Sequence, residues 1–161
     1  MAAWQNFPTE YQNPTNPEVQ QFALQYADQI EQQLYLQWLA QQQLAAVKAE
    51  CQKQGMALGL YCDVAVGTSR SSAESWVAPE DFLLDLSVGA PPDIMAPKGQ
   101  NWGLLAYNPA PLRQKAYQPF IDLIRANMRY AGALRLDHVM ALLRLWCCPL
   151  GADATQGGYL R

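Results

Sequence analysis

The chain has 161 residues, half of them apolar and 16% charged, with a formal net charge of −3 and a pI near 5.0. This composition is typical of a globular domain with a core of its own. The slight acidity argues against a surface for nucleic acid or for an anionic membrane. No secretory signal is predicted at the amino terminus, and no apolar run approaches the length of a membrane span.

The first sixteen residues contain Pro8, Pro14 and two asparagines, and predict an irregular lead-in. The tripeptide Asn16-Pro17-Glu18 then favours a helix start, with a capping residue, a proline and an acid in the expected order. One helix from there to Gln54 would be about 57 Å long, too long for one compact layer. We therefore predict two helices that meet near Ala27–Asp28 and end at Gly55.

The next part of the chain alternates between strands and connections. Residues 56–66 predict a strand, and residues 67–108 form a long connection rich in Gly, Pro and Ser. A connection of that length is usually functional or is ordered by short elements of its own. A further helix is predicted over residues 110–130, with Pro119 as an alternative start of its regular part and Gly132 closing it.

Residues 133–140 predict a short, buried strand that carries polar side chains at its carboxyl end. Arg135 and Asp137 are two residues apart and therefore project to the same side of a strand. In an α/β barrel such positions face the mouth of the active site. The alternative is a buried ion pair that only ties the strand to a loop, because buried charges must be paired wherever they occur.

The order helix, strand, long excursion, helix, strand is typical of a segment of a (β/α)₈ barrel. A complete barrel needs roughly 250 residues. We therefore predict an α/β fold that is a partial TIM barrel, with residues 1–16 as lead-in and residues 17–161 as a fragment of a barrel domain.

The four cysteines form no CxxC pair and have no histidine ligand set nearby, so no zinc site is predicted. Because adjacent cysteines such as Cys147 and Cys148 rarely bridge each other, we expect reduced thiols and a cytoplasmic location.

The string from Arg135 to Met140, Arg-Leu-Asp-His-Val-Met, closely resembles the fourth-strand motif of amylomaltases, the 4-α-glucanotransferases of the α-amylase superfamily. Other stretches resemble the bacterial branch of that family in the same order along the chain: residues 59–61, 63–67, 87–93, 99–104 and 119–121. The resemblance covers essentially the whole chain. It implies an internal fragment of the catalytic barrel, with about strands 3 and 4, their flanking helices and a long inserted loop region.

The resemblance also implies a reaction. Amylomaltases transfer α-1,4-glucan segments between maltooligosaccharides by a retaining double displacement, in which one carboxylate attacks the sugar and a second carboxyl group protonates the departing oxygen. The implied partner is a maltooligosaccharide or α-glucan, with no metal or organic cofactor, no nucleic acid and no membrane.

Three residues of the motif acquire roles from the resemblance. Asp137 matches the nucleophile, Arg135 helps to hold it ionised, and His138 would bond a sugar hydroxyl. His138 alone would be read as an ordinary structural histidine. The family's acid, a Glu on the next strand, is not in this chain, so we predict that the chain alone is inactive.

Four further residues match positions of the family that bind substrate. Asp63 matches an acid at the end of the third strand, and its alternative is a turn or capping acid. Asp93 matches a mobile loop over the acceptor side, whose apolar tip would be residues 94–95. Gln100 and Trp102 match the acceptor subsite, although a Trp in such a loop is as often a packing anchor. The rival interpretations are a non-catalytic glucan-binding module and a structural fragment that self-associates.

Overall fold

Two β-sheets connected by helices make up the fold, and the computed structural model describes residues 3–161. The helices are α1 (Pro17–Gln25), α2 (Ala27–Lys53), α3 (Ala73–Val77), α4 (Pro109–Gln114) and α5 (Gln118–Met128). The strands are β1 (Leu60–Val64), β2 (Thr68–Ser69), β3 (Leu86–Ala90), β4 (Gln100–Leu105), β5 (Ala131–Leu136), β6 (Leu145–Pro149) and β7 (Gly158–Leu160).

The lead-in consists of two short 3₁₀ turns, Trp4–Asn6 and Thr9–Tyr11. Its first two residues, Met1 and Ala2, lie outside the described part of the chain. The indole N–H of Trp4 donates to the hydroxyl of Ser75 at 3.0 Å. The lead-in is therefore attached to α3, and it also contacts α1, because the ring of Tyr11 meets that of Phe22 edge-on at 5.9 Å between the centroids.

Strands β1 and β5 form a parallel pair that is regular from Tyr61 to Val64 on β1, with a shift of register between Leu60 and Tyr61 that leaves Gly132 as the extra residue of β5. Helix α5 packs against both strands. Gly132 lies where β5 passes the backbone of Leu58, and a Cβ at this position would overlap the Leu58 carbonyl oxygen. Only glycine allows that approach. Gly132 is thus part of a strand, and the prediction that it closes the preceding helix is wrong, because that helix ends at Met128.

The second sheet is built from two separate parts of the chain. Its order is β2-β4-β3-β6-β7, and all its pairs are antiparallel. Residues 67–108 provide β2, β3 and β4, while residues after 144 provide β6 and β7. The long connection is therefore ordered by short elements of its own, one of the two outcomes expected for its length.

The hydrophobic core lies on this five-stranded sheet. Val88, Ala106 and Cys147 form its buried centre, and Leu105 and Cys148 are fully buried beside it. In contrast, α1 and α2 contain no buried residue. The stacked rings of Tyr35 and Trp38, 5.7 Å apart, are both more than half exposed, so α2 exposes large apolar side chains that are not covered within residues 3–161.

The boundaries predicted for the first two helices agree with the structure, whereas the helix predicted over residues 110–130 is divided. The first two helices meet at Tyr26, next to the predicted Ala27–Asp28 junction. The helix predicted over residues 110–130 is broken at Ala116 and Tyr117, which have φ values of 49° and 62°. This break puts Pro119 in the first turn of α5, where its missing N–H costs no hydrogen bond.

Both predicted strands are shorter than expected. The strand predicted over residues 56–66 covers Leu60–Val64. The strand predicted over residues 133–140 ends at Leu136, opposite Val64, because β1 offers no partner backbone beyond that point. The chain then enters a 3₁₀ turn, in which Val139, expected to be buried, is 60% exposed.

Three acidic protons in or beside the core make the stability sensitive to alkali. Burial raises the pKa of the thiols of Cys147 and Cys148. The pKa of the Tyr107 hydroxyl is raised mainly by burial and, to a smaller extent, by the nearby Glu74 carboxylate. The folded state therefore keeps protons that the unfolded state loses above pH 9, so the native state binds more protons there and stability must fall as the pH rises.

We expect the free energy of unfolding in urea to be nearly constant from pH 7 to 8.5 and to decline above about pH 9. Replacing Cys147 by Val removes one of the three protons and should flatten the decline. A stability that stays constant from pH 7 to pH 11 would contradict this account.

Candidate active site

The guanidinium of Arg135 lies between two carboxylates. Its Nη1 donates to Oδ2 of Asp63 at 2.6 Å, and its Nη2 donates to Oδ1 of Asp137 at 2.8 Å. Arg135 and Asp137 lie on the same side, as expected from their spacing. The second contact, to Asp63, is not predicted by the sequence.

The parallel pairing explains why these three side chains meet. Asp63 is the register partner of Arg135, and residues paired across a sheet project from the same face at the same height. Asp137 follows two residues later, just past the end of β5. The charged side chains of both strands therefore lie together at the carboxyl-terminal end of the sheet.

These ion pairs orient the carboxylates more than they stabilise the fold. The side chains of Arg135, Asp63 and Asp137 are 51%, 55% and 60% exposed, and pairs at such exposure contribute only about 0–1 kcal/mol. The planar guanidinium, however, holds its two partners in a defined geometry. The other carboxylate oxygen of Asp137 accepts no hydrogen bond from residues 3–161.

A second group of predicted site residues lies next to Asp137. His138 has a φ of 49°, a left-handed conformation that is strained for a residue other than glycine and that recurs at functional sites. Its ring meets Trp102 edge-on, with 5.1 Å between the centroids. The indole N–H of Trp102 in turn donates to Oε1 of Gln100 at 2.8 Å. His138 thus connects the charged group to an aromatic and amide surface.

Asp93 stands apart from this arrangement. Its Oδ1 accepts from the backbone N–H groups of Met95 and Ala96 at 2.8 and 2.6 Å, in a turn between β3 and β4. Ile94 and Met95 at this tip are more than 90% exposed. The structure brings together six of the seven predicted site residues and leaves Asp93 in its own turn.

Within the described residues, no three His, Cys, Asp or Glu side chains are grouped as they would be around a metal ion. None of the helices between residues 3 and 161 has the length and apolarity of a membrane span.

Comparison with known proteins assigns the chain to a family. The sequence profile of the family described as 4-alpha-glucanotransferase matches residues 1–161. The chain belongs to this family. The resemblance to amylomaltases is therefore confirmed.

Two relatives within the family show how much of the chain is shared. A 4-alpha-glucanotransferase of Haemophilus influenzae is 42% identical over 157 residues, or 98% of this chain. A 4-alpha-glucanotransferase of Mycobacterium tuberculosis is 37% identical over 158 residues, also 98% of this chain. The chain spans 22% of the length of each of these relatives.

Solved structures of the family share the mixed α/β fold. The amylomaltase of Corynebacterium glutamicum superimposes with a TM-score of 0.76 at 36% identity, over 79% of this chain and 18% of that chain. The amylomaltase of Streptococcus agalactiae in complex with acarbose gives a TM-score of 0.90 over 99% of this chain and 33% of that chain. At 22% identity, the second comparison is evidence for the fold alone.

Proposed function

We propose that this chain is a segment of a 4-α-glucanotransferase that transfers α-1,4-glucan segments between maltooligosaccharides. The proposal rests on one observation in a member of this family: Arg135 forms ion pairs with both Asp137 and Asp63. These residues lie at the carboxyl ends of two parallel strands. Because the chain spans 22% of its relatives, the activity belongs to a longer enzyme that contains it.

In that enzyme, β1 and β5 are neighbouring strands of a (β/α)₈ barrel, about strands 3 and 4, and residues 17–161 are part of its catalytic domain after the lead-in 1–16. The parallel pairing and the packing of α5 across both strands support this assignment. The position of the charged groups supports it as well, because barrel enzymes carry their active sites at the carboxyl ends of the strands.

Asp137 is the nucleophile of a double displacement. Its free carboxylate oxygen attacks the anomeric carbon, an ester bond forms, and the glycosidic C–O bond breaks while a second carboxyl group protonates the departing oxygen. The 4-hydroxyl of another glucan then attacks the same carbon, the ester bond breaks, and the hydroxyl proton passes to that second carboxyl group.

The double pairing of Arg135 suits this cycle. When Asp137 becomes an ester it loses its negative charge, and with it most of its attraction for the guanidinium. Asp63 remains ionised and bonded to Arg135 at 2.6 Å. The guanidinium therefore keeps its orientation through the intermediate and is ready to receive the Asp137 carboxylate again.

Substrate binding is assigned to the neighbouring polar and aromatic groups. The indole face of Trp102 suits stacking on a pyranose ring, and the amide of Gln100 and the ring of His138 offer hydrogen bonds to sugar hydroxyls. The turn of Asp93, with its exposed apolar tip, would cover the acceptor side. All four cysteines are free, which supports a cytoplasmic location.

A disproportionation assay tests the function. The longer enzyme incubated with maltotriose should release glucose and form longer maltooligosaccharides without a net gain of reducing ends. A net gain that accounts for all the products would indicate hydrolysis and contradict the assignment as a transferase.

Self-association of the isolated chain is a second proposal, favoured by its uncovered surfaces. Both outer edges of the β1–β5 pair lack a strand partner within residues 3–161, and α2 exposes large apolar side chains such as Leu34 and Trp38. Open edges and apolar patches of this kind promote association.

We expect analytical ultracentrifugation at high concentration to show oligomers. The variant Trp38→Glu should weaken them, since it places a charge on the exposed face of α2, and Gln41→Glu on the same helix is the matched control. A single monomeric species at every concentration would rule this proposal out.

A further inference from the structure

We propose that Asn101 and Ser87 are positioning residues that hold Trp102 in place for sugar binding. This proposal rests on the proposed glucanotransferase function. It extends that function to two residues that form no hydrogen bond with Asp63, Arg135 or Asp137.

The first observation is an irregularity between β3 and β4. Val88 pairs with Leu104, whereas the next residue, Gly89, pairs with Asn101. Two consecutive residues of β3 thus face positions three apart on β4, and the two intervening residues, 102 and 103, leave the regular ladder. Such bulges redirect side chains and are frequent beside active sites.

The second observation is the set of hydrogen bonds that Asn101 makes at this bulge. Its Oδ1 accepts from the buried hydroxyl of Ser87 at 2.7 Å and from the backbone N–H of Gly103 at 3.1 Å. Its Nδ2 donates to the carbonyl of Ala152 at 3.3 Å. Asn101 therefore ties together β3, the bulge, and the turn that follows β6.

Gly103 needs this support because its conformation is unusual. It has a φ of 69°, which glycine adopts without steric cost. The amide oxygen of Asn101 gives its N–H a partner in place of the interrupted ladder. The residue between the two, Trp102, packs against the buried core and is oriented by these backbone bonds and by its contacts with Gln100 and His138.

Fixing Trp102 in advance favours sugar binding. An indole face binds a pyranose ring in only a few orientations, and a side chain that must be ordered on binding weakens the interaction. Without the Asn101 amide, the bulge loses the bonds that hold its backbone. Trp102 should then sample orientations that do not fit an acceptor glucan.

The structural test uses the 161-residue chain and the indole ¹H–¹⁵N resonance of Trp102, assigned with the variant Trp102→Phe. This resonance should shift or broaden in Asn101→Ala and in Ser87→Ala. It should not change in Asn108→Ala, a matched control that removes a similar bond, from Ala110 N–H to the Asn108 side chain at 3.3 Å, at the start of α4. An unchanged Trp102 resonance in both bulge variants would overturn the proposal.

The functional test measures the ratio of glucan transfer to hydrolysis in the longer enzyme. Asn101→Ala should lower this ratio about tenfold, the effect of losing about one hydrogen bond's contribution to holding the acceptor. A general loss of folded protein would lower transfer and hydrolysis together, so a constant ratio would refute the role in acceptor binding.

Two further measurements distinguish a failure of this proposal from a misfolded variant and from a failure of the proposed function. If Asn101→Ala does not fold, Asn101→Asp carries both tests, because it keeps an acceptor oxygen for Ser87 and Gly103. Its ratio of transfer to hydrolysis should fall below that of the wild type, because Asp lacks the Nδ2 group that donates to Ala152. A ratio equal to that of Asn108→Ala would refute the proposal. If the wild-type enzyme transfers no glucan, the proposed function fails, while the indole resonance still decides whether Asn101 positions Trp102.

Discussion

Replacing Asp137 by Asn in the longer enzyme is expected to lower glucan transfer by several orders of magnitude and to leave maltoheptaose binding nearly unchanged. Asn keeps the shape of Asp but has no anionic oxygen to attack the anomeric carbon, and loss of a covalent nucleophile has effects of this size. Initial rates with maltotriose and calorimetric titration with maltoheptaose measure the two quantities.

The arrangement around Asp137 supplies the controls for this experiment. Asp122→Asn removes a carboxylate from an exposed ion pair with Arg125, 3.7 Å apart on α5, and should leave the rate unaltered. Arg135→Ala should lower the rate as well, because it leaves Asp63 and Asp137 without the cation between them. Arg135→Lys should rescue it only in part, since an ammonium group cannot reproduce the two-armed contact. Near-normal turnover in Asp137→Asn would mean that the ion pair is a structural tie and that the nucleophile lies elsewhere.

The isolated chain is expected to transfer no glucose between maltotriose molecules. A retaining mechanism needs a second carboxyl group roughly 5 to 5.5 Å from the nucleophile. The two glutamates of the long connection, residues 67–108, have other partners. Glu74 accepts from the hydroxyl of Tyr107, and Glu80 pairs with Lys115. Asp63 shares the guanidinium of Arg135 with Asp137 and is bonded to it at 2.6 Å. We therefore expect no acid within residues 3–161 to protonate the departing oxygen, and the first displacement should not occur.

Chromatography of the products from a homogeneous sample measures this activity. The same chain with Asp137→Asn is the matched control, because any contaminating enzyme would act equally in both samples. Maltose or longer glucans formed by the wild-type chain and not by the variant would show that the chain carries a complete catalytic site.

The sequence predicted those features that depend on neighbouring residues. Pro17 marked the start of α1, although the side chain of Asn16 before it makes no capping bond and donates to the Glu10 carbonyl instead. Pro119 marked the start of α5. The spacing of Arg135 and Asp137 placed both on one side of a strand. Each of these predictions rests on local geometry, which a few consecutive residues determine.

Features that depend on distant residues could not be predicted in this way. Asp63 and Arg135 are separated by 72 positions, and only the register of β1 against β5 brings them together. The strands of the second sheet are two to six residues long and lie among glycines and prolines, so their sequences resemble loops. The importance of Asn101 depends on a mismatch between two strands, which neither strand reveals alone.

The position of β3 has a consequence for protein engineering. This strand pairs with β4 from its own segment on one side and with β6, which follows β5, on the other. Residues 67–108 are therefore not a self-contained segment. Deleting them would leave β6 paired with β7 alone and would remove β3 from beside Cys148, which is now fully buried. A chimaera between relatives should exchange residues 67–108 and 145–160 together, so that both halves of the shared sheet come from the same parent.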